Sequence, residues 1–513
     1  MARIHEYIGK ELLREMGINI PQGRVAGSLE EAKKIAEVMG CPVVVKAQIW
    51  VTGRKEKGGI KFANTPEEVV EAAESMFSLK IKEFEVDKVL IEEQINIKRE
   101  FYAGLIIDDN SKSPVLIFSS VGGTGIEEIV QKHPDKVYKY RVNIQEGIEE
   151  HQARYICKKA GIESKLLLKL GDVIKKLYDL ARKYEARSAE INPLVLTDDD
   201  KILACDCRIT IDDYAVFRHP ELNIEIAREF HRPPTELDKI AYNVEKNDYR
   251  GTFYFIQMNK DFNKSENFVG FHGAGGGGSM MSMDALLSNG FKIANFTDTS
   301  GNPPASKVYR AAKIILSQKN IDGYFGSGSG VASQEQFHSA RGLVKAFIEE
   351  ELKIPAVIRL GGNLEEKAIE ILNEFSKEFP AELEAYGRDD SAEFCAGRLR
   401  KLIDEKNENE ISLKKKKLSK PEKVYSFETI TGKIEIDHAL CKKCQSKICI
   451  DVCIPKILKL DNDKCVLAIP EEDAKKGKCI ECLACELECL ARGKNAVYIR
   501  LPIPGLEEYL KKN

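Results

Sequence analysis

At 513 residues the chain is too long for one hydrophobic core, so several domains are expected. Its composition, 43% apolar and 31% charged with a net charge of −3, is that of a globular protein and gives no reason to expect a nucleic-acid partner. No apolar stretch reaches the roughly 18 residues needed to span a bilayer, and MARIHEYIGKELLREMG lacks the apolar core of a secretory signal, so a cytoplasmic location with no membrane partner is expected.

In chain order, the first block, residues 1–230, alternates short β-branched runs with amphipathic helices. CPVVVKAQI, KVLIEEQI, FYAGLIID and SPVLIFSSV read as strands. Leu166, Leu170, Ile174, Leu177 and Ala181 fall on one face at helical spacing. Lys46 ends an apolar strand and is followed by Gly53-Arg54-Lys55 and Gly58-Gly59 in a loop. A lysine so placed can neutralise a phosphate that glycine N–H groups approach, although a basic surface turn is equally common. Further on, RSAEINPLVLTDDDKILACDCRITID places Asn192 and Asp206 on paired strands. Hard oxygen ligands of this kind suit Mg2+ bridging nucleotide phosphates, with turn polarity and a strand-edge acid as the plain alternative.

A second α/β block, residues 240–403, carries FYFIQM, NFVGFHGAGGGG, GYFGSGSGVA and IPAVIRLGG with helices between. Glycine directly after an apolar strand, then a helix, is what a doubly wound parallel sheet needs at its ligand-facing edge. Residues 404–425, charged and ending near a proline, read as an exposed linker, and the lysine run there as a solvated tether in preference to an anion site. Cys41, Cys157, Cys205, Cys207 and Cys395 are scattered among apolar neighbours and read mostly as small core residues.

Eight of the fourteen cysteines form two runs in the third block, residues 426–500: Cys441-x2-Cys444-x4-Cys449-x3-Cys453 and Cys479-x2-Cys482-x2-Cys485-x3-Cys489. Clustered thiols in a reducing compartment bind metal more often than they form disulfides. The second run has the spacing of a bacterial [4Fe–4S] motif, and terminal x3 spacing in both favours iron–sulfur over a pair of zinc sites. The segment resembles a small α+β two-cluster bacterial ferredoxin. That resemblance implies the exchanged ligation, Cys479, Cys482, Cys485 and Cys453 for one [4Fe–4S] cluster and Cys441, Cys444, Cys449 and Cys489 for the other. The x4 interval before Cys449 and the Cys489-Leu-Ala ending depart from the ferredoxin pattern. Cys465, between the runs, reads as a packing residue, and residues 501–513 as a C-terminal tail.

HEYIGKELLREMGI, the Lys46 loop, IEEQINIKREFYAG, EINPLV and CDCRI occur in the order and spacing of the β subunit of succinyl-CoA synthetase, an ADP-forming acyl-CoA synthetase with an ATP-grasp fold. The resemblance spans roughly residues 1–400 and makes the second block a flavodoxin-like CoA-ligase domain. It implies ATP/ADP and Mg2+ as cofactors, with Lys46 and Arg54 catalytic. Lys46, Gly53, Arg54, Lys55, Glu92, Ile95 and Glu100 would bind nucleotide, Glu92 at the hinge near the adenine or ribose, and Asn192 and Asp206 would hold Mg2+. The family's glycine after the arginine is Lys55 here, and Val121 and Gly125 stand where the family often has acidic residues.

In the second block, His272-Gly-Ala-Gly stands where the family has Asn-Gly-Ala-Gly. The run from Gly328, Ser329, Gly330 and Val331 to Gln334 replaces the family's Gly-Gly-Ile-Val-Arg-Cys-Asp. His272 and residues 328–331 are assigned to substrate contact, His272 also being open to a plain packing role. With the arginine and aspartate of that loop gone, an acid other than succinate is implied. The family implies a partner, a CoA-binding α subunit bearing the phosphorylated histidine, with a carboxylate and CoA as substrates. The cysteine block adds a ferredoxin or oxidoreductase partner and an anaerobic setting. The competing reading is an electron-transfer or scaffold subunit with a repurposed ATP-grasp region.

Overall fold

The structure is a computed structural model. It describes residues 2–512 except 52, 82, 124, 229, 231, 248–252, 329, 406–416 and 419–423, so most of the expected 404–425 linker, and Ser329, lie outside the described residues. The chain divides into two compact units, residues 1–233 and 234–513. Among the described residues no helix is long and apolar enough to cross a membrane.

The first unit contains strands β1 (Ala2–Arg3), β2 (Gly23–Ala26), β3 (Val43–Ala47), β4 (Ile60–Ala63) and β5 (Val89–Glu93), with helices α1 (Glu6–Glu15), α2 (Leu29–Met39) and α3 (Pro66–Phe77). These strands lead to β6 (Ile97–Asp108), β7 (Ser113–Ser119), β8 (Val137–Arg141), α4 (Glu150–Lys159) and α5 (Ser164–Lys183). The unit ends on β9 (Ala186–Thr197), β10 (Ile202–Ala204) and β11 (Cys207–Ile211). Strands β2–β5–β3–β4 form a four-stranded sheet covered by α2 and α3. Both helices start on a side-chain cap, Ser28 accepting from the Glu31 N–H and Thr65 from the Glu68 N–H, which satisfies donors the helix itself cannot. The second sheet is seven-stranded, in the order β1–β11–β9–β6–β7–β8 with β10 beside β9. The predicted apolar stripe lies on α5, whose Leu170, Ile174, Leu177 and Ala181 pack into this sheet's core.

The second unit opens with α6 (Glu236–Lys246) and a six-stranded sheet. Its strands are β12 (Tyr254–Gln257), β13 (Phe268–Ala274), β14 (Lys292–Asp298), β15 (Gly323–Gly328), β16 (Ala356–Arg359) and β17 (Leu383–Tyr386). Their order, β12–β14–β13–β15–β16–β17, is parallel except for the β12 edge. The connecting helices are α7 (Gly276–Ser288), α8 (Ala305–Leu316), α9 (Phe337–Glu349), α10 (Glu365–Ser376) and α11 (Ala392–Asp404). Residues 268–273 are all buried, as a parallel strand covered on both faces requires. Helix α11 continues through Asp404, so the first residue of the expected linker is helical.

The same unit includes a three-stranded sheet, β18 (Tyr425–Glu428), β19 (Lys433–Ile436) and, after the hairpin β20 (Leu458–Asp461)–β21 (Lys464–Leu467) and helix α12 (Ala484–Arg492), β22 (Val497–Arg500). One apolar cluster runs from Leu237, Ile315 and Phe347 through Phe427, Ile434 and Leu487 to Leu506, taking in most of the cysteines of the two runs. Residues expected as a tail form α13 (Leu506–Lys512), because Leu506 is apolar enough to bury and Lys512 pairs with Glu236 of α6 at 3.1 Å.

Candidate nucleotide and cysteine sites

In the first unit, β3 delivers Lys46 and the following loop returns Arg54 toward the start of β11. Lys46 Nζ lies 3.0 Å from Glu6 Oε1 and 2.8 Å from Glu92 Oε2, and donates to the Cys205 carbonyl at 2.6 Å. Arg54 donates to Glu6 Oε2 at 2.7 Å, Asp206 Oδ2 at 2.8 Å and the Ala47 carbonyl at 2.9 Å. Lys10, one turn after Glu6 on α1, pairs with Glu6 at 3.1 Å, bonds Glu92 and donates to the Cys205 carbonyl at 2.8 Å. Three carboxylates thus face three cations, all but Asp206 nearly or fully buried, so desolvation is offset within the group.

The titration behaviour follows from that balance. Burial by itself raises the Glu6 carboxyl, but Lys46, Lys10 and Arg54 outweigh it and hold Glu6 well below the ordinary value of 4.5. Burial opposes the charge on Lys46, yet Glu6, Glu92 and Asp206 keep its ammonium well above the usual range. Burial and then Glu6 push Asp206 up, Arg54 and Lys46 pulling the other way, although 27% of its side chain is exposed.

Lys46, Arg54, Glu92 and Asp206 are therefore brought together. The sequence reading missed Glu6 and Lys10; their i,i+4 spacing on an amphipathic helix looks like an ordinary surface pair. The Glu92 carboxylate is 1% exposed and engaged by Lys10 and Lys46. Gly53 has a left-handed φ of 68° in an exposed turn with Lys55, where a side-chain-free backbone is favoured. Ile95 is half-buried in the short connection between β5 and β6, and Glu100 sits on β6 beneath Gly123, where an added Cβ would meet its carboxylate. Asn192, on β9, accepts from the Gly123 N–H at 3.1 Å and donates its own backbone N–H to the Asp206 carbonyl at 3.1 Å. Asp206 itself lies just ahead of β11. Gly125 caps the helix Ile126–Lys132. Among the described residues no three His, Cys, Asp or Glu side chains converge to hold a metal ion. Mg2+ on a nucleotide needs only one or two protein oxygens plus phosphate and water, and the hard oxygens of Asn192 and Asp206 fit that demand.

In the second unit, His272 is 5% exposed on β13, with Nδ1 2.6 Å from the Tyr324 hydroxyl and Nε2 3.3 Å from Thr299 Oγ1. Burial pushes its pKa down to about 3, so the ring is neutral. It lines a cavity of about 20 Å³ with Thr299, Ser327 and Gly328. Gly328 closes β15 and its carbonyl accepts from Arg359 at 3.1 Å; Gly330 has φ 79°, and Val331 is 84% exposed.

The eight run cysteines are each 3–9% exposed. Their neighbours fall mainly into two sets, with Cys449 also close to Cys485. Burial pushes Cys479 up to about 12, with Glu481, Cys482 and Cys453 adding to it. Cys485 is raised well above its usual range by burial and then by Cys482, Cys479, Cys453 and Cys449. Cys441 neighbours Cys449 and Cys444, and Cys489 neighbours Cys449. Run sulfurs also receive backbone donors, Cys441 Sγ from the Cys465 N–H at 3.3 Å and Cys489 Sγ from the Ala496 N–H at 3.2 Å. Cys465 thus packs, as expected, but against two run thiols, because its side chain also bonds Cys449. A cube separates its thiolates more widely than one ion does, so crossed groups of buried thiols with N–H donors fit it by donor chemistry.

The first unit's two sheets are those of an ATP-grasp domain: residues 3–196 match the model of that domain. Against known proteins, the chain is 37% identical over 370 residues to the β subunit of a GDP-forming succinate–CoA ligase from Thermus thermophilus, covering 72% of this chain and 93% of that one. It is 38% identical over 381 residues to subunit β 2 of an ADP-forming succinate–CoA ligase from Archaeoglobus fulgidus, covering 74% and 94%. An ATP citrate lyase from Methanothrix soehngenii, solved with citrate and coenzyme A, shares the fold at 20% identity and a TM-score of 0.66, covering 78% of this chain and 99% of that one. The chain belongs to the family of succinate–CoA ligase β subunits, which are acid–thiol ligases.

Proposed function

We propose that the chain is the nucleotide-binding β subunit of an ADP-forming acyl-CoA synthetase acting on an acid other than succinate, with two [4Fe–4S] clusters serving docking or electron transfer. The reaction is ATP + carboxylate + CoA ⇌ ADP + phosphate + acyl-CoA. The observation that carries it is the convergence of Lys46, Arg54 and Asp206 around Glu6, in a chain of this family.

Lys46 and Arg54 bind the phosphates and offset charge that develops on the transferring phosphoryl group. Asn192 and Asp206 hold Mg2+, which supplies further neutralisation there. Gly53 and Lys55 bring backbone N–H groups and a cation to the same phosphates, and Glu92, Ile95 and Glu100 line the nucleotide end. The phosphoryl group passes to a histidine of a CoA-binding α subunit. That histidine makes the acyl phosphate, and the CoA thiol then displaces phosphate. Exposed Met280, Met281 and Val331, near the carboxyl edge of the six-stranded sheet, provide apolar surface of the kind a partner subunit covers. His272, Gly328, Gly330 and Val331 contact the acid, with His272 as a neutral donor or acceptor.

Cys441, Cys444, Cys449 and Cys489 hold one cluster and Cys453, Cys479, Cys482 and Cys485 the other. When bound, these groups supply one-electron chemistry, with a ferredoxin or oxidoreductase as the partner.

The test combines the anaerobically purified chain with its CoA-binding α subunit, γ-labelled ATP and Mg2+. Phosphohistidine forms on α, Asp206→Ala reduces it at least about 100-fold, and succinate is a poor acid in a panel of carboxylates. Succinate as the preferred acid would overturn the substrate reading. Full phosphorylation in Asp206→Ala would overturn the Mg2+ assignment. The substituted residues Val121 and Gly125 and the 328–334 loop favour a second reading, a redox scaffold with a repurposed grasp domain, which predicts no phosphohistidine at all.

A further inference from the structure

Helices α9 and α12 meet through an ion pair in which both Lys345 and Glu486 are 0% exposed, 2.7 Å apart. Arg341 lies one turn before Lys345 on α9, and Cys482 lies four residues before Glu486 at the entry to α12. The Cys482 and Cys485 side chains lie close enough to Arg341 to act on its charge. Arg341 is 6% exposed and its guanidinium stacks on the Phe337 ring at 4.7 Å. Its Nη1 is buried with no hydrogen-bond partner among the described residues. The nearby Glu488 carboxylate is taken by Arg492. Burial disfavours the charged guanidinium, and Cys482, then Glu488 and Cys485, counter it. A buried cationic N–H with no acceptor is among the costlier features of a protein interior, so an anionic acceptor belongs on that side.

We infer that Arg341 donates from Nη1 to the sulfur shell of the [4Fe–4S] group held by Cys453, Cys479, Cys482 and Cys485, and raises that group's reduction potential. This rests on the cluster reading above and adds a residue from the ligase half of the unit. Each electron gained makes such a group one charge more negative, so a buried cation and an N–H···S bond both stabilise the reduced form. The other group is placed differently. Its nearby cation, Lys447, already donates to the Cys441 and Asp463 carbonyls at 2.6 Å each and lies closer to solvent. The buried Glu481 carboxylate stands beside Cys479 in the first of these groups, so Arg341 is a buried cation offsetting negative charge there, on the side of the ligase sheet's covering helix.

The experiment is an EPR-monitored redox titration of the anaerobic full-length chain, with iron and acid-labile sulfide counted beforehand, for the wild type, Arg341→Gln and Arg341→Lys. Two clusters per chain are expected, with two separable midpoints. Arg341→Gln lowers one of them and leaves the other in place, and Arg341→Lys recovers most of the shift. With both clusters counted and the midpoint unmoved in Arg341→Gln, the role of Arg341 fails while the cluster reading stands. Absence of iron and sulfide from the wild type defeats the cluster reading itself, and this inference with it. If Arg341→Gln does not fold, an Arg341→Lys midpoint identical to wild type with the cluster EPR line shape altered supports donation to sulfur, and an unaltered line shape refutes it.

Discussion

Glu6 satisfies Lys46 through one oxygen and Arg54 through the other while Lys10 closes on it from a turn away. Replacing it with glutamine keeps the shape and removes the charge, leaving buried cations in excess. Glu6→Gln is expected to destabilise the first unit by about 3 kcal/mol at neutral pH. The chain's single tryptophan, Trp50, lies in that unit and stacks on His5 at 4.9 Å, so its fluorescence during urea unfolding reads this transition. The folded pKa of Glu6 is depressed, so its contribution is complete above the ordinary value of 4.5 and is lost as pH falls through the folded value. The difference between wild type and Glu6→Gln should hold from pH 8 to 5 and close at more acidic pH. A difference that widened on acidification would contradict the depressed pKa. At this scale the sequence displayed Lys46, Arg54 and Asp206 through motif position, but Glu6 and Lys10 acquire their role only because α1 is laid across β3 and the start of β11.

Between elements, Gly342 of α9 shows how closely the ligase-domain helices approach. A Cβ there would stand 2.5 Å from the Ala305 carbonyl oxygen and 2.8 Å from Val308 Cβ on α8. Alanine is the better helix former by about 1 kcal/mol, yet overpacking costs about 1–3 kcal/mol. Gly342→Ala is therefore expected to lower the calorimetric transition of the second unit, whereas Gly277→Ala, in the first turn of α7 with open space around it, should not lower it. A stabilised Gly342→Ala would mean that helix propensity outweighs the contact. The strands themselves were readable: FVGFHGA and GYFGSG are mostly apolar and glycine, as strands of a parallel sheet covered on both faces are. Helix spacing was not readable, since a glycine within a helix shows nothing of what it touches.

At the scale of the whole molecule, the cysteine block reads in sequence as a module on a charged tether, but its apolar residues complete the core of the ligase sheet's unit. Arg310 of α8 donates to the Pro502 carbonyl at 3.0 Å and to the Thr431 carbonyl at 2.9 Å, and Tyr498 donates to Glu349 at 3.2 Å. Cutting away residues 425–513 should thus strip apolar cover from α8 and α9 and remove the Pro502 and Thr431 acceptors from Arg310. The remaining 1–424 chain is expected to lose soluble yield and to melt at lower temperature by circular dichroism. An unchanged melting transition would show the block to be a tethered passenger.

By itself the sequence determined the chemistry available: alternating apolar runs for two α/β sheets, Lys46 and Asp206 at strand ends, and eight cysteines at cluster-like spacing. These are local signals, carried by period and interval along the chain. Tertiary structure alone decided which charges meet. Glu6 with Arg54 and Asp206, Lys345 with Glu486, and Arg341 against the second cysteine run are separated by tens to hundreds of residues, and only packing brings their side chains within reach. Burial then turns ordinary surface-type residues into paired interior charges, because a desolvated ion needs its counter-charge close by.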